Sequence, residues 1–251
     1  YKEMIRKKAY VIGNNVSKSL SPTIFNYWFK KYKIDADYEY REIKENEFDK
    51  DITKILNEKD LCGLNITIPF KEKIIKHLDL TEKEAKDIGA VNCVTKNGSK
   101  TEGTNTDWIG FVDSVKQHQK DQALKINKNL AIVVGYGGSA KAVIYALSLM
   151  GFEKIKVFNR TFDKILNLKK ITPHKLNELE QYFSEGDLII NTTPINFKKN
   201  KILKTNKTTP SNNLKETGHG FDLVYNYNTF FLKYFVSYKR IYGYQMPIHQ
   251  A

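Results

Sequence analysis

Cysteine is scarce in this sequence, and long apolar runs are missing. Cys62 and Cys93 are the two cysteines among 251 residues, and neither they nor the five histidines fall at the spacing of metal ligands or of a disulfide framework. No apolar stretch reaches the roughly 18 residues that span a bilayer, and the first residues lack the apolar segment of a signal peptide. We therefore expect a cytoplasmic protein with no metal site and no membrane partner.

Acidic residues are fewer than basic ones. The 41 Lys and Arg against 28 Asp and Glu leave a net charge of +13, which raises the question of a nucleic-acid partner. The lysines are scattered rather than gathered with aromatic residues into one stripe, so a solvated basic surface without nucleic acid is the favoured interpretation. A positive field would also attract anionic small molecules, such as a phosphorylated cofactor or a carboxylate substrate.

Short apolar strands alternate with amphipathic helices along the chain. This alternation predicts an α/β fold built from βαβ units with mainly parallel sheets. The first series has strands at 9–13, 38–43 and 63–69 and helices at 23–32 and 48–58. The second has a strand at 129–135, helices at 139–152 and 162–170, and strands at 154–159, 187–192 and 220–224. The second series is typical of a Rossmann-type nucleotide-binding half, and the polar residues 197–220 predict a surface loop with one short helix.

A glycine-rich turn joins the first strand and helix of the second series. The segment GYGGSAK covers 135–141 and has the strand-to-helix context that a dinucleotide fingerprint requires. Gly135 permits a tight turn, Gly137 lets a pyrophosphate approach the backbone, and Ala140 or Ala142 keeps helix and strand close. The free N–H groups of the helix N-terminus would bind phosphate. The predicted cofactor contacts in this turn are Gly135, Gly137, Gly138, Ser139 and Ala140.

The end of the next strand indicates which dinucleotide binds. An NAD site carries Asp or Glu there for the ribose 2′-hydroxyl, whereas a basic side chain accommodates the 2′-phosphate of NADP. The sequence has Asn159, Arg160 and Thr161 at this position and Lys164 one helical turn later, with no carboxylate at the strand end. NADP is therefore favoured over NAD.

Polar residues also follow the apolar strands of the first series, where a parallel sheet binds its ligands. Ser19 and Ser21 precede a helix and could donate to a carboxylate, although Ser21 and Pro22 would serve equally well as a helix cap. Further candidates are Asn65, Thr67 and Lys71 in GLNITIPFK, Asn92 in IGAVNCV, and Asp107 in GTNTDWIG. Taken singly, each is more often a capped turn or a solvated charge than a ligand.

Together and in this order, the motifs resemble those of the shikimate dehydrogenase family. They are SxS before a proline, GxNxTxPxK, GAVN, NTD, GxGG, NRT, DLxY and a late GxxM followed by QA. The resemblance extends from about Tyr10 to Ala251. It implies an NADP-dependent shikimate 5-dehydrogenase that reversibly reduces 3-dehydroshikimate to shikimate in a cleft between two domains, as a monomer or homodimer.

The resemblance also implies the domains and the roles of individual residues. Residues 1–106 and 239–251 would form the substrate-binding domain, and residues 107–238 the Rossmann-type NADP-binding domain. Lys71 and Asp107 would flank the reacting hydroxyl, and Thr192 and Met246 would contact the cofactor. The implied substrate-binding residues are Ser19 and Ser21 at the shikimate carboxylate, Tyr225 near it, and Asn65, Thr67, Asn92 and Gln250.

Several positions depart from the family pattern. Cys93 replaces the threonine that is usual after GAVN, and NTTP at 191–194 is not followed by the usual glycine and methionine. Phe230 and Pro247 replace a proline and a leucine. The sequence ends at Ala251, before the final helix of the family, so we expect the substrate domain to lack part of its cover.

Reduction of a ketone requires a hydride on carbon and a proton on oxygen. We expect the Lys71 ammonium to polarise the carbonyl and deliver the proton, while Asp107 holds Lys71 and the C4 hydroxyl. The reverse allocation, with Asp107 as the proton carrier, stays open because paired groups titrate as a unit. Three other interpretations are a quinate/shikimate dehydrogenase with NAD or relaxed substrate use, a nucleotide-binding relative without activity, and a nucleic-acid-binding protein.

Overall fold

The chain folds into two compact units that divide after Thr106. The computed structural model describes residues 6–203, 218–225 and 228–246. We call Tyr1–Thr106 the N-unit and Asp107–Ala251 the C-unit. Each unit contains one six-stranded sheet. Within the described ranges, every helix is too short or too polar to cross a bilayer.

The N-unit is built on a sheet with the strand order β2-β1-β3-β5-β6-β4. Its strands are β1 (Lys7–Gly13), β2 (Ala36–Glu42), β3 (Leu61–Ile66), β4 (Leu80–Thr81), β5 (Cys93–Asn97) and β6 (Lys100–Thr104), and its helices are α1 (Ser21–Lys31), α2 (Phe48–Leu56) and α3 (Lys83–Ile88). β1 pairs in parallel with β2 and β3, whereas β5 is antiparallel to β3 and β6. The predicted mainly parallel sheet is therefore mixed in this unit, because Gly98 and Ser99 close a two-residue hairpin between β5 and β6.

The core of the N-unit lies between the sheet and α2. Phe48, Ile52 and Ile55 are spaced so that they share one face of α2, and all three are buried. The ring of Phe48 stacks on that of Phe70, with 4.2 Å between centroids. This packing fixes Phe70, which immediately precedes Lys71 in the chain.

The C-unit has an entirely parallel sheet with the order β12-β11-β10-β7-β8-β9. Its strands are β7 (Leu130–Val134), β8 (Lys154–Asn159), β9 (Ile171–Lys175), β10 (Leu188–Asn191), β11 (His219–Asp222) and β12 (Arg240–Tyr242), and its helices are α4 (Asp107–Asp121), α5 (Gly138–Leu149) and α6 (Leu179–Tyr182). Every residue of β7 is buried, as expected of a central strand covered on both faces. The strand order reverses at β7, which is where such sheets bind nucleotides.

Residues 162–170 do not form the predicted helix. A 3-10 turn covers Phe162–Lys164, and the chain then reverses at a bridge between Leu168 and Ile171 before entering β9. β9 begins opposite Ile155, so the connection from residue 160 to residue 170 must return along β8 by about 16 Å. A helix over 162–170 would span about 13 Å and leave too few residues for a turn at each end.

The C-terminal residues also differ from the expected domain assignment. The structure places residues 239–246 in the C-unit rather than with the first domain, because β12 pairs with β11 and Ile241 is fully buried. Residues 247–251 lie outside the described residues, as does most of the polar segment 197–220, of which 204–217 are not described. The first seven residues of that segment are described, and both Phe197 and Leu203 pack into the C-unit core.

Candidate active site

The glycine-rich turn after β7 has the geometry that the fingerprint predicts. Gly135 has φ of +107°, a conformation that side-chain-bearing residues rarely adopt. A Cβ at this position would collide with Oγ1 of Thr192, which itself donates a 2.7 Å hydrogen bond to the carbonyl of Val134. The end of β10 therefore packs directly against the turn, and any residue larger than glycine would separate them.

The N-terminus of α5 is open to a ligand. Gly137 precedes the helix in an extended conformation, and no side chain among the described residues caps it. A Cβ on Gly137 would meet no atom within 4 Å, so the backbone here is exposed rather than packed. The 12-residue helix thus directs its first N–H groups and the positive end of its dipole toward unfilled space, as a pyrophosphate site requires.

The end of β8 carries the residues that are predicted to bind a 2′-phosphate. Asn159 donates through Nδ2 to the carbonyl and the hydroxyl of Thr161, at 3.3 and 3.2 Å, which closes a compact turn around Arg160. Arg160 and Lys164 are both exposed. In the described part of the chain neither cation forms an ion pair, so both are available to an anion.

A cavity of about 250 Å³ connects these elements within the C-unit. Its lining comes from the ends of β7 and β8, from Leu176 after β9, and from the segment after β10. The residues are Val134, Gly135, Phe158, Asn159, Arg160, Leu176, Thr193, Pro194 and Ile195. A pocket with a basic rim, next to a helix N-terminus without a side-chain cap, suits a dinucleotide such as NADP, with Arg160 on its β8 side and Thr193, Pro194 and Ile195 on its β10 side.

Two residues near this cavity were not predicted from the sequence. The register of β8 and β9 places Lys175 opposite Asn159, and its Nζ lies 5.3 Å from the ring centroid of Phe162. Tyr136, inside the glycine-rich turn, accepts a 3.3 Å hydrogen bond from the N–H of Leu166. Lys175 was not predicted, because a helix was expected at 162–170 and β9, which pairs with β8, was not expected.

In the N-unit, the turn after β3 carries Lys71. The N–H of Phe70 donates to the carbonyl of Thr67 at 2.9 Å, and the carbonyl of Lys71 accepts from the N–H of Val91 at 2.8 Å. The turn is thereby tied to the chain that leads to Asn92. Lys71 itself is 9% exposed, an unusual environment for a lysine that has no functional role.

Asn92 holds the last residue of the N-unit. Its Oδ1 accepts from the N–H of Thr106 at 2.8 Å, and its Nδ2 donates to the hydroxyl of Thr106 at 3.0 Å. The carbonyl of Asn92 also accepts from the N–H of Ile66, at 2.8 Å. The structure therefore brings the ends of β3 and β6 together around the predicted Asn92.

Asn65 is linked to the predicted serines through a residue that sequence reasoning missed. The hydroxyl of Tyr38 donates to Oδ1 of Asn65 at 2.6 Å. Burial raises the pKa of Tyr38, with the nearby Cys93 acting in the same direction and a hydrogen bond with Ser21 acting against it. The phenol therefore stays protonated and donates to Asn65, with Ser21 nearby. Cys93 lies opposite Asn65 in the register, and burial likewise raises its thiol pKa.

Ser19 and Ser21 form a short turn at the start of α1. The N–H of Ser21 donates to Oγ of Ser19 at 3.2 Å, and the N–H of Ser19 donates to the carbonyl of Val16 at 2.9 Å. This turn accounts for the local fold, and it leaves the hydroxyl hydrogen of Ser19 able to donate to an anion.

The remaining predicted residues lie in the C-unit. Asp107 begins α4 and is 6% exposed, Met246 is also buried, and Tyr225 is exposed. Gln250 lies outside the described residues. Over the ranges that the structure describes, no group of three or more His, Cys, Asp and Glu side chains could hold a metal ion.

Comparison with protein families gives one consistent result for both units. Residues 11–94 match the model described as the shikimate dehydrogenase substrate binding domain. Residues 116–222 match the model described as shikimate / quinate 5-dehydrogenase. A relative from Staphylococcus epidermidis, named shikimate dehydrogenase (NADP(+)), is 37% identical over 227 residues, which cover 89% of this chain and 79% of the relative.

Solved structures give the same result. The crystal structure of shikimate dehydrogenase from Thermotoga maritima is similar with a TM-score of 0.80 and 31% identity, covering 97% of this chain and 90% of that one. Shikimate 5-dehydrogenase from Thermus thermophilus, in complex with NADP(H) and shikimate, is similar with a TM-score of 0.75 and 28% identity over the same shares of the two chains.

Proposed function

Because this chain belongs to the shikimate dehydrogenase family, we propose that its Lys71 and Asp107 carry out the proton chemistry of that family's reaction. The enzyme catalyses the NADP-dependent, reversible reduction of 3-dehydroshikimate to shikimate, a step of the shikimate pathway. The predicted family, the two-domain α/β fold and the NADP cofactor are confirmed. The residue assignments that follow are our proposal.

NADPH, when bound, supplies the hydride that reduces the carbonyl carbon. Its pyrophosphate would be held by the N–H groups at the start of α5, where the predicted contacts are Gly137, Gly138, Ser139 and Ala140. Its 2′-phosphate would be held by Asn159, Arg160, Thr161 and Lys164, with Lys175 as an additional cation. Thr192 and Met246 would contact the remainder of the cofactor.

Lys71 delivers the proton in this proposal. A reduced carbonyl oxygen needs one proton, and an ammonium group polarises the carbonyl before it donates. The burial of Lys71 supports this role, since the side chain is 9% exposed at the end of a turn fixed by Phe70 and Val91. In the oxidative direction the neutral amine accepts the proton from the C3 hydroxyl.

Asp107 orients Lys71 and the C4 hydroxyl in this proposal. Asp107 is the first residue of the 15-residue helix α4 and is buried. A carboxylate accepts hydrogen bonds from an ammonium group and from a hydroxyl, and in this way it can hold both in place.

The substrate carboxylate and hydroxyls would be bound by the polar side chains that the family motifs carry. Ser19, Ser21 and Tyr225 would hold the carboxylate, while Asn65, Thr67, Asn92 and Gln250 would hold the hydroxyl groups. The hydrogen bond from Tyr38 to Asn65 supports this assignment for the N-unit, because it fixes Asn65 beside the strand that Ser21 approaches.

Location and assembly are also proposed. Cys62 and Cys93 are free thiols, which suits the reducing environment of the cytoplasm. We propose a cytoplasmic monomer or homodimer without a nucleic-acid partner. Light scattering of the purified protein tests the assembly, and a mass above that of a dimer would contradict it.

The observation that carries the function is the match of two family models to the two units. It is tested by offering shikimate or quinate with either NADP or NAD and following the absorbance of the reduced nicotinamide. Reduction with shikimate and NADP is expected to be fastest. Faster reduction with quinate or with NAD would show instead that the enzyme is a quinate dehydrogenase or prefers NAD.

A further inference from the structure

A buried carboxylate at the end of β11 has no role in the reaction described so far. Asp222 is 4% exposed and forms no ion pair with any Lys, Arg or His that the structure describes. Its oxygens accept instead from three neutral donors, namely Nδ2 of Asn191 at 3.0 Å, the N–H of Val224 at 3.1 Å and the hydroxyl of Thr229. Burial raises the pKa of this carboxyl, so burying its charge does not itself stabilise the fold. The contribution of Asp222 therefore lies in the three donors that it holds in place.

The first donor connects Asp222 to the cavity wall. Asn191 is fully buried, and its Oδ1 accepts from the N–H and the hydroxyl of Thr193 at 3.0 and 2.8 Å. Its Nδ2, besides donating to Asp222, donates to the carbonyl of Thr193 at 3.0 Å. Thr193 lines the cavity beside Gly135, together with Pro194 and Ile195. The orientation of this wall therefore depends on the amide of Asn191, which Asp222 holds.

The second donor connects Asp222 to two segments with predicted ligand contacts. The N–H of Val224 immediately precedes Tyr225, so the carboxylate fixes the start of that loop. Gly243 packs so closely on the backbone carbonyls of Asp222 and Leu223 that a Cβ would collide with both. The carbonyl of Gly243 in turn accepts from the N–H of Met246 at 3.1 Å.

The third donor, Thr229, connects Asp222 to Phe197, which follows the cavity wall in the chain. The hydroxyl of Thr229 accepts from the N–H of Phe231 at 3.2 Å while it donates to Asp222. The carbonyl of Thr229 accepts from the N–H of Phe197 at 2.8 Å. Residues 193–197 are therefore held at both ends by groups that bind to Asp222.

The topology indicates which half of the cofactor this wall faces. β8, with Arg160 at its end, lies on one side of β7, and β10 and β11 lie on the other. In a Rossmann-type sheet the two nucleotides of a dinucleotide lie on opposite sides of the point where the strand order reverses. With the 2′-phosphate at β8, the nicotinamide half falls at the ends of β10 and β11.

We propose that Asp222 is a positioning residue that, through Asn191, Val224 and Thr229, holds the nicotinamide half of the cofactor site in the orientation needed for hydride transfer. The inference rests on the proposed function. Asp222 does not take part in proton transfer. A shift of the wall would displace the nicotinamide from the carbonyl carbon without altering the adenosine end of the site.

The test compares Asp222→Ala with Asp187→Ala in the full chain. Asp187 is a matched control because it is 2% exposed and accepts from the N–H groups of Asn129 and Leu130, both at 2.9 Å. It lies at the opposite, N-terminal end of β10. Turnover, KM for both substrates and the primary isotope effect with NADPH deuterated at the transferred position are measured per folded molecule, with thermal unfolding recorded alongside.

Both alanine variants should lose stability, but they should differ in catalysis. Asp222→Ala is expected to lower kcat by roughly ten- to a hundredfold and to raise the isotope effect on kcat, because hydride transfer becomes limiting. Its affinity for adenosine 2′,5′-bisphosphate, which lacks nicotinamide, should stay unchanged. Asp187→Ala should keep the wild-type kcat and isotope effect. Asp222→Asn should restore most of the activity, since an amide can accept from Val224 and donate to Thr229.

Equal kcat and isotope effects in Asp222→Ala and the wild type would overturn the proposal, and so would equal losses in Asp222→Ala and Asp187→Ala. Should Asp222→Ala fail to fold, Thr229→Val removes one donor with little change in volume and should show the same pattern in milder form. A wild-type kcat and isotope effect in that variant would overturn the proposal as well. A wild-type enzyme without activity would overturn the proposed function, and this inference with it.

Discussion

We propose that the preference for NADP over NAD rests on the positive charge of Arg160. The guanidinium is exposed, has no ion-pair partner among the described residues, and belongs to the turn closed by Asn159 and Thr161. Arg160→Ala should raise KM for NADP roughly tenfold, as expected for the loss of hydrogen bonds to a charged group. KM for NAD should stay unchanged, because NAD has no 2′-phosphate.

The matched control for Arg160 is Lys169→Ala, which removes an exposed cation from the same connection. It should leave both KM values unchanged. Steady-state kinetics with each cofactor checks the prediction. An equal rise of KM for NADP in the two variants would indicate a general effect of charge rather than a phosphate contact at Arg160.

His118 predicts how stability depends on pH. It is 5% exposed, its Nε2 has no hydrogen-bond partner among the described residues, and its ring packs edge-on against His219 with 5.6 Å between centroids. Burial lowers the pKa of His118, and Asp121 acts in the opposite direction. Above pH 6.5, which is the ordinary pKa of histidine, His118 is neutral in both the folded and the unfolded state and does not lower stability. Below that value the unfolded chain binds a proton that the folded chain resists, so stability should fall toward acid.

The loss attributable to His118 should not exceed about 1.4 kcal/mol per pH unit. Urea unfolding at neutral and mildly acidic pH measures it, and His118→Gln should reduce the slope between the two. An identical slope in the wild type and the variant would show that other groups govern acid stability.

Candidate site residues could be proposed from the sequence where they belong to a motif of adjacent residues, and their roles stay predictions. Asn92 and Asn65 belong to short motifs, and in the structure Asn92 is buried, Asn65 is partly buried and both form side-chain hydrogen bonds. Tyr38 was not predicted, because its contact with Asn65 joins residues 27 positions apart. In the sequence it is one of several aromatic residues in a strand, and its partner becomes apparent when β1 is placed between β2 and β3.

At the scale of elements, the strand, turn and helix around Gly135 allow a comparison of two glycines. Gly135→Ala should destabilise the protein by about 1 to 3 kcal/mol, because φ is positive and the methyl group would collide with Thr192. Gly137→Ala should leave the melting temperature unchanged or slightly raised, since the residue has negative φ and open space around it.

The two glycine variants should lose NADP affinity for different reasons. In Gly137→Ala the methyl group occupies the approach to the backbone, so affinity should fall at least about tenfold in a fully folded protein. Thermal unfolding and titration of NADP separate the effects. Unchanged NADP affinity in Gly137→Ala would contradict the pyrophosphate site at the start of α5.

The elements themselves were predictable to different degrees. The strands and helices around the glycine-rich turn were predicted correctly because the turn needs a strand before it and a helix after it. The helix predicted at 162–170 was wrong because its apolar spacing carries no information about how far the chain must return to begin β9. The β5–β6 hairpin had a usable signal in Gly98 and Ser99, since Gly-Ser between two strands favours a two-residue hairpin, but neither strand was predicted.

At the scale of the whole molecule, the net charge of +13 should affect the rate at which anionic ligands bind. NADP and shikimate are both anions, so kcat/KM for each should fall several-fold between low and high salt, as expected when a positive field is screened. Steady-state kinetics over a salt series checks this expectation. A rate that does not change with salt, together with salt-sensitive retention on DNA, would favour the nucleic-acid interpretation of the charge instead.

The whole-molecule function could be named from the sequence because its motifs are spread over both units and occur in a fixed order. The two family models match on either side of Thr106, where the structure divides. The allocation of residues 239–246 could not be obtained in this way. It depends on the pairing of β12 with β11, which no local pattern in the sequence indicates.

The most direct measurement for this enzyme is the turnover of shikimate with NADP by the wild type and by Lys71→Ala, alongside the affinity of each for shikimate. The wild type should reduce NADP in the presence of shikimate. The variant should bind shikimate with similar affinity but turn over about 10² to 10⁴ times more slowly, because the proton donor and acceptor is gone. No shikimate-dependent reduction by the wild type would contradict the function, and equal turnover in the variant would remove Lys71 from the chemistry.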